Sequence, residues 1–200
     1  MPVPPEAETA QDQKGRHIPL PRPGRGAGRA RLAEILRVDH AGEYGAVQIY
    51  RAQAAVFNAR KGRETIAADL TEMQGQEAVH LARFDALLNR HRVRPTLLLP
   101  AWRLAAQALG AGTALMGEKA AHACTEAVES VIEKHYADQI AELSERDPEL
   151  AAELKQFRDE ELAHHDHAID HGSREAPGYR LLSAVIKAGC KVAIKVSERV

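Results

Sequence analysis

Two short segments each place a carboxylate three residues ahead of an imidazole: Glu77 and His80 in EAVHLARF, Glu161 and His164 in FRDEELAHHD. A single Glu-x-x-His is more often a solvated pair on a helix than a site. These two are set differently. Ile66, Leu70, Met73, Glu77, His80, Phe84 and Leu87 follow one another at steps of four and three, the spacing of one helix face. Leu150, Leu154, Phe157, Glu161, His164, Ala168 and His171 repeat the stepping, every position 84 residues after its counterpart. Each polar pair interrupts the middle of a stripe that should be buried. An unpaired charge there costs on the order of several kcal/mol, so something must pair with it.

Each segment has a partner upstream. Leu36, Glu43, Val47, Tyr50, Ala54 and Phe57 share a face, with Glu43 placed 34 residues before Glu77. Glu129 lies 32 residues before Glu161, on a face that also carries Glu126, Glu133, Tyr136, Ile140 and Leu143. Folding each pair back through its turn brings the acids to similar heights, so two helical hairpins each offer a Glu and a Glu-x-x-His. On spacing alone Glu126 or Glu133 could replace Glu129. One Glu from each of two helices, plus Glu-x-x-His from each of the other two, is the ligand set of ferritin-like dimetal carboxylate bundles. Residues i and i+3 lie about 60° apart around a helix, so both can reach one ion. Four carboxylates balance two divalent cations, and mixed carboxylate and imidazole ligation with open positions suits iron, a pair of which can activate dioxygen.

Other polar residues near these stripes carry weaker signals. His165, His167, Asp170 and His171 crowd the end of the second stripe and could collect an adventitious ion, but most point away from the stripe and read as surface. Cys124 sits about 140° from Glu129 by helix geometry and reads as packing. Asp39, four residues before Glu43, and Tyr136, seven after Glu129, are candidates to orient a ligand or to be plain packing residues.

The remainder of the chain must position these groups. Ala, Leu, Glu and Arg dominate from residue 30 onward and favour helix; aromatics at 4% with 14 Gly and 10 Pro do not fit a β-sandwich. A formal charge of -1 gives no global attraction to nucleic acid, and none is expected as a partner. Cys124 and Cys190 form no CxxC motif, so a thiolate metal site or disulfide framework is not expected. Helical pattern runs over about 30–60 to a break at RKGRE, then over 63–91, stopping before Pro95. An apolar segment follows at 97–117, and a long helix begins past Gly117. Asp147 and Pro148 supply a cap and first-turn proline for another helix, ending near Gly172, and a last one starts after Pro177. The expected fold is all-α: a ferritin-like four-helix bundle of two hairpins with two additional amphipathic or apolar helices at a membrane surface. It should occupy residues 29–200. Residues 1–28, rich in proline and glycine, are expected to form a disordered or loosely attached arm, with no signal or transit peptide. Gly24, Gly26 and Gly28 lack the spacing and preceding strand of a dinucleotide fingerprint.

Two segments suit a bilayer surface. Between Leu97 and Met116 the sole charge is Arg103, beside Trp102, while Pro100, Gln107, Gly110 and Gly112 favour an interfacial lie over a span. Lys187, Lys191, Lys195 and Arg199 step by four, with Val185, Ile186, Val192, Ala193 and Val196 between them. A basic amphipathic helix of this kind favours an anionic membrane.

Five motifs, RVDHAGEYGAVQIY, EAVHLARF, ACTEAVE, HYADQI and FRDEELAHHD, together with the ending AGCKVAIKVSERV, resemble the demethoxyubiquinone hydroxylase family, membrane-bound di-iron enzymes of ubiquinone biosynthesis. The resemblance runs from about residue 30 to 200. It implies six iron ligands, Glu43, Glu77, His80, Glu129, Glu161 and His164, choosing Glu129 over its neighbours. Glu43 and Glu129 would be terminal, Glu77 and Glu161 bridging, and each His would serve one iron. The implied reaction is hydroxylation of the ring of a polyprenylated demethoxyubiquinol by dioxygen. Electrons would come from NADH or from the quinol itself. Partners would be the polyprenyl quinol, the membrane surface and other proteins of the pathway; the location would be peripheral, on the cytoplasmic face of the cell membrane. The rival readings are an iron-handling or peroxide-scavenging protein like ferritin or rubrerythrin, and a bundle whose dimetal site is structural. A rubrerythrin-like carrier would want a CxxC pair, which this chain lacks.

Overall fold

The computed structural model describes residues 28–199, so the arm expected over 1–28 lies, apart from Gly28, outside the described residues. The described residues form six α-helices and no strand: α1 Arg29–Asn58, α2 Glu64–His91, α3 Leu99–Met116, α4 Glu118–Leu143, α5 Pro148–Asp170 and α6 Tyr179–Ser197, with a 3-10 turn at Ser173–Glu175 before α6. The boundaries follow local chemistry. The Asp147 side chain accepts from the Leu150 N–H at 3.1 Å, and Pro148 opens α5 where its missing donor costs nothing. α3 and α4 are separated by one residue, Gly117, at φ 118°, a backbone region closed to most side chains.

α1 packs along α2 and α4 along α5, each pair joined by a short turn. α3 lies on α1 and α4, and α6 on α4 and α1, so the two shorter helices cover the α1–α4 side. The Trp102 indole donates to the Ser197 hydroxyl at 3.0 Å and ties α3 to α6. Two apolar blocks of the core have a polar layer between them. Ile35, Leu36, Phe84, Leu87, Leu143, Leu150, Leu154 and Phe157 fill one end. Ala46, Ala54, Phe57, Ile66, Leu70 and Met73 fill the other. Along α2 the order is Leu70 and Met73, then Glu77 and His80, then Phe84 and Leu87, so the stripe itself places the acid and imidazole between the blocks.

No helix among the described residues is long and apolar enough to cross a membrane. α3 instead approaches α1 closely at Gly110, where an added Cβ would fall 2.4 Å from the Ile49 carbonyl oxygen and 3.1 Å from Ala52 Cβ. The glycine admits the backbone contact that seats α3. Gly110→Ala should therefore lower unfolding free energy by about 1–3 kcal/mol, the range of an overpacked core. Gly112→Ala, whose Cβ would meet nothing within 4 Å, should be neutral or stabilising. Urea denaturation of the two variants compares them directly.

Candidate metal centre

All six residues of the two hairpins meet in the polar layer. Glu43, Glu77, His80 and Glu161 offer ligand atoms within 4.8 Å of one another, and so do Glu77, Glu129, Glu161 and His164. The two quartets share Glu77 and Glu161. Each of the six side chains is at most 5% exposed. His80 Nδ1 lies 3.3 Å from Glu161 and 3.6 Å from both Glu43 and Glu77; His164 Nδ1 lies 3.0 Å from Glu77 and 3.6 Å from Glu161.

The hydrogen bonds show which atoms are held and which are left over. Tyr136 donates to Glu43 Oε1, and Tyr50 donates to Glu129 Oε1 at 2.5 Å. His80 Nε2 is fixed by Glu160 at 2.6 Å, and His164 Nε2 by Gln76 at 2.6 Å. What remains buried without a hydrogen-bond partner is both oxygens of Glu77, both of Glu161, one each of Glu43 and Glu129, and Nδ1 of each histidine. Buried polar atoms are otherwise almost always satisfied. These atoms fit two cations, each given one imidazole nitrogen, one oxygen of an outer carboxylate and one oxygen from each of the two shared carboxylates.

The holding network repeats across the hairpins. Tyr50 stands seven residues after Glu43 yet grips Glu129, and Tyr136 stands seven after Glu129 yet grips Glu43. Gln76 and Glu160 each immediately precede a shared carboxylate and hold the opposite hairpin's histidine. The sequence singled out Tyr136, and the structure hydrogen-bonds it to Glu43, one of the six clustered side chains. Tyr50, Gln76 and Glu160 were missed as site residues; the equal Glu-x6-Tyr spacing was the available signal for Tyr50. Asp39 touches none of the six: it accepts from Gln139 at 2.7 Å and lies 3.4 Å from His135. Glu126, left open by spacing, turns away to Ser173, Arg174 and Tyr179. Glu133 pairs with Arg158, and Cys124 is buried in apolar packing beneath α3 and α6. His165 pairs with its neighbour Asp166, while His167 departs from the surface expectation, because its Nε2 is buried. On the α2–α5 side a cavity of about 360 Å³ lined by Gln76, Glu160, Ala163 and His164 opens beside the centre.

Electrostatics shows what this clustering demands. Burial, reinforced by repulsion from Glu161 and Glu77, holds Glu43 and Glu129 well above the usual carboxylate range. Burial also pushes Glu77 up, but His164 and His80 more than offset it and bring the group down to about 2. Burial opposes charge on both rings, yet the carboxylates around them raise His80 far above its ordinary value and His164 to about 9. Protons on the histidines and outer acids thus act as counter-charge, in the places that cations would take.

Fold and donor set define a class: helical bundles whose core can hold a pair of metal ions. The chain belongs to the family of the ubiquinone biosynthesis protein COQ7, whose model matches residues 30–197. A relative from Mus musculus, NADPH-dependent 3-demethoxyubiquinone 3-hydroxylase, mitochondrial, is 52% identical over 175 residues, covering 86% of this chain and 79% of that protein. The 3-demethoxyubiquinol 3-hydroxylase of Rhodospirillum rubrum is 51% identical over 178 residues, 89% of this chain and 82% of its own. The 5-demethoxyubiquinone hydroxylase, mitochondrial, of Saccharomyces cerevisiae is 40% identical over 203 residues, 94% of this chain and 86% of its own.

The raised histidines give a pH signature with a definite sign. A histidine of ordinary pKa 6.5 raised to about 9 in the fold stabilises fully below pH 6.5, and that contribution is lost as pH climbs through 9. Glu43 and Glu129, also raised, act in the same direction. Chelator-stripped protein should therefore melt at progressively lower temperature between pH 6.5 and 9, while protein saturated with divalent metal keeps its Tm. Thermal melts over this range with and without metal check it; parallel profiles would remove the buried histidines from the charge balance.

Proposed function

We propose that this chain is an oxygen-dependent di-iron monooxygenase that hydroxylates the ring of a polyprenylated demethoxyubiquinol in ubiquinone biosynthesis. Membership of the COQ7 family and relatives named as hydroxylases at about half identity support the reaction. The observation that carries the metal reading is the pair of buried quartets sharing Glu77 and Glu161. The bundle is then ferritin-like, its ligands Glu43, Glu77, His80, Glu129, Glu161 and His164. Iron bound there supplies dioxygen activation, which no side chain of the protein can perform alone. The protein contributes position and exclusion of water: Tyr50 and Tyr136 fix the outer carboxylates, Glu160 and Gln76 fix the rings, and apolar blocks close both ends of the layer. Electrons come from a nicotinamide nucleotide or from the quinol; the NADPH dependence is in the relatives' names. Iron storage and a purely structural metal site are the weaker readings, since the named relatives are hydroxylases.

The prenyl tail of such a substrate resides in lipid, and the structure offers a matching surface. Of the eight large apolar residues that are exposed among those described, Leu97, Leu104, Leu115 and Met116 lie on or beside α3, and Leu181, Val185 and Val192 lie on α6. Trp102 of α3 and Ser197 of α6 are hydrogen-bonded, and Lys191 and Lys195 of α6 are exposed, so we read the two helices as one membrane-facing surface. Peripheral binding through α3 and α6 would keep the prenyl tail of the substrate in hydrocarbon. The proposed location is the cytoplasmic face of the cell membrane, with other proteins of the pathway as partners.

Three experiments test this reading. Lipid extracts of cells lacking the protein should accumulate demethoxyubiquinone; wild type should clear it, and Glu77→Ala or Glu161→Ala should not. Those variants should each lose both irons, because a shared carboxylate serves both positions, whereas His165→Ala should retain normal iron. Normal iron in either Glu variant overturns the ligand assignment. Replacing Lys187, Lys191 and Lys195 by Glu should abolish sedimentation with anionic liposomes, each lysine contributing about 1 kcal/mol near such a surface, while iron content stays normal. Undiminished liposome binding would make α6 part of the bundle and not an anchor.

A further inference from the structure

A second cluster of metal-binding side chains lies where the starts of α2 and α4 meet the end of α5. Asp69 on α2, His167 on α5 and His171 just past its last residue bring one ligand atom each within 4.8 Å of one another. His122 on α4, only 4% exposed, faces them with ring centroids 5.2 Å from His171 and 5.9 Å from His167. The rings of His167 and His171 lie 4.0 Å apart.

Three further observations point to a ligand. His167 Nε2 is buried and has no hydrogen-bond partner. His171 Nδ1 donates to the His167 carbonyl at 2.8 Å, which fixes its tautomer and leaves Nε2 as the nitrogen with a free lone pair. His167, in the last turn of α5, and His171, the residue that caps it, are spaced i, i+4, a separation at which two imidazoles can share an ion.

We propose that Asp69, His167 and His171, with His122 packed beside them, form a second metal site that shares no ligand with the buried centre. Its chemistry is that of a first-row divalent ion favouring imidazole, such as zinc; magnesium and calcium, which want oxygen, do not fit. An ion there would join α2 to the end of α5. The site does not depend on the function proposed for the buried centre.

Equilibrium dialysis of the full chain against Zn²⁺ tests it, alongside His171→Ala and Asp69→Asn. His171 is exposed and outside the helix proper, so the variant should keep its helical circular dichroism and melting cooperativity. Wild type should bind one more zinc per chain than either variant, with a Kd of about 1 μM or tighter. Co²⁺ in place of zinc should give a visible ligand-field band that His171→Ala abolishes. Iron-loaded wild type and His171→Ala should have equal iron content. Equal zinc stoichiometry in all three proteins, or extra binding only at millimolar zinc, overturns the proposal; so does loss of iron in His171→Ala, which would make the cluster part of the buried centre.

Discussion

Four carboxylates in the middle of an apolar core repel one another, and every feature around them answers that repulsion. Glu43, Glu77, Glu129 and Glu161 are at most 1% exposed, so water cannot screen them. Two histidines supply the nearest positive charge, and burial leaves the outer acids favouring the proton. The bundle is held together on both sides of this layer by apolar blocks, which keep the helices from separating where the charges would drive them apart. The site is therefore destabilising by itself and tolerable only as part of this fold.

The second tier of residues divides the ligand atoms into those fixed and those free. One oxygen of each outer carboxylate is spent on a tyrosine, and one nitrogen of each ring on Glu160 or Gln76. Since each tyrosine reaches across to the other hairpin, neither hairpin assembles its half alone. Cooperative closure of the two is built into the hydrogen bonds as well as into the shared carboxylate cluster.

Much of this was legible in the sequence because it rests on periodicity. The four-three stepping of two stripes located Glu77, His80, Glu161 and His164, and turn chemistry at Gly62, Asp147 and Pro148 set helix ends close to those observed. What spacing could not decide was direction. Glu126 shares a face with Glu129, yet its oxygens go to Ser173, Arg174 and Tyr179, residues that only the turn before α6 brings near. Tyr50 read as one more member of an apolar stripe, because its partner lies 79 residues away. Gly110 read as an interruption of an apolar segment, and its actual role, a close backbone approach to Ile49, needs the second helix to be seen. Asp39, on the ligand face by count, spends its carboxylate on Gln139 instead.

The repeat that matches the hairpins in placement does not match them in charge. Behind His80 stands Glu160, held below the usual carboxylate range by Gln156 and His80 despite partial burial; behind His164 stands Gln76, an uncharged amide. An imidazole leaning on an anion is the more electron-rich donor. The two halves of the centre are thus chemically unlike. Identical ions seated in them would meet unlike donors, an imidazole backed by an anion on one side and one backed by an amide on the other. A near-symmetric backbone here carries a built-in polarity, decided by one atom pair, amide against carboxylate, at a single repeated position.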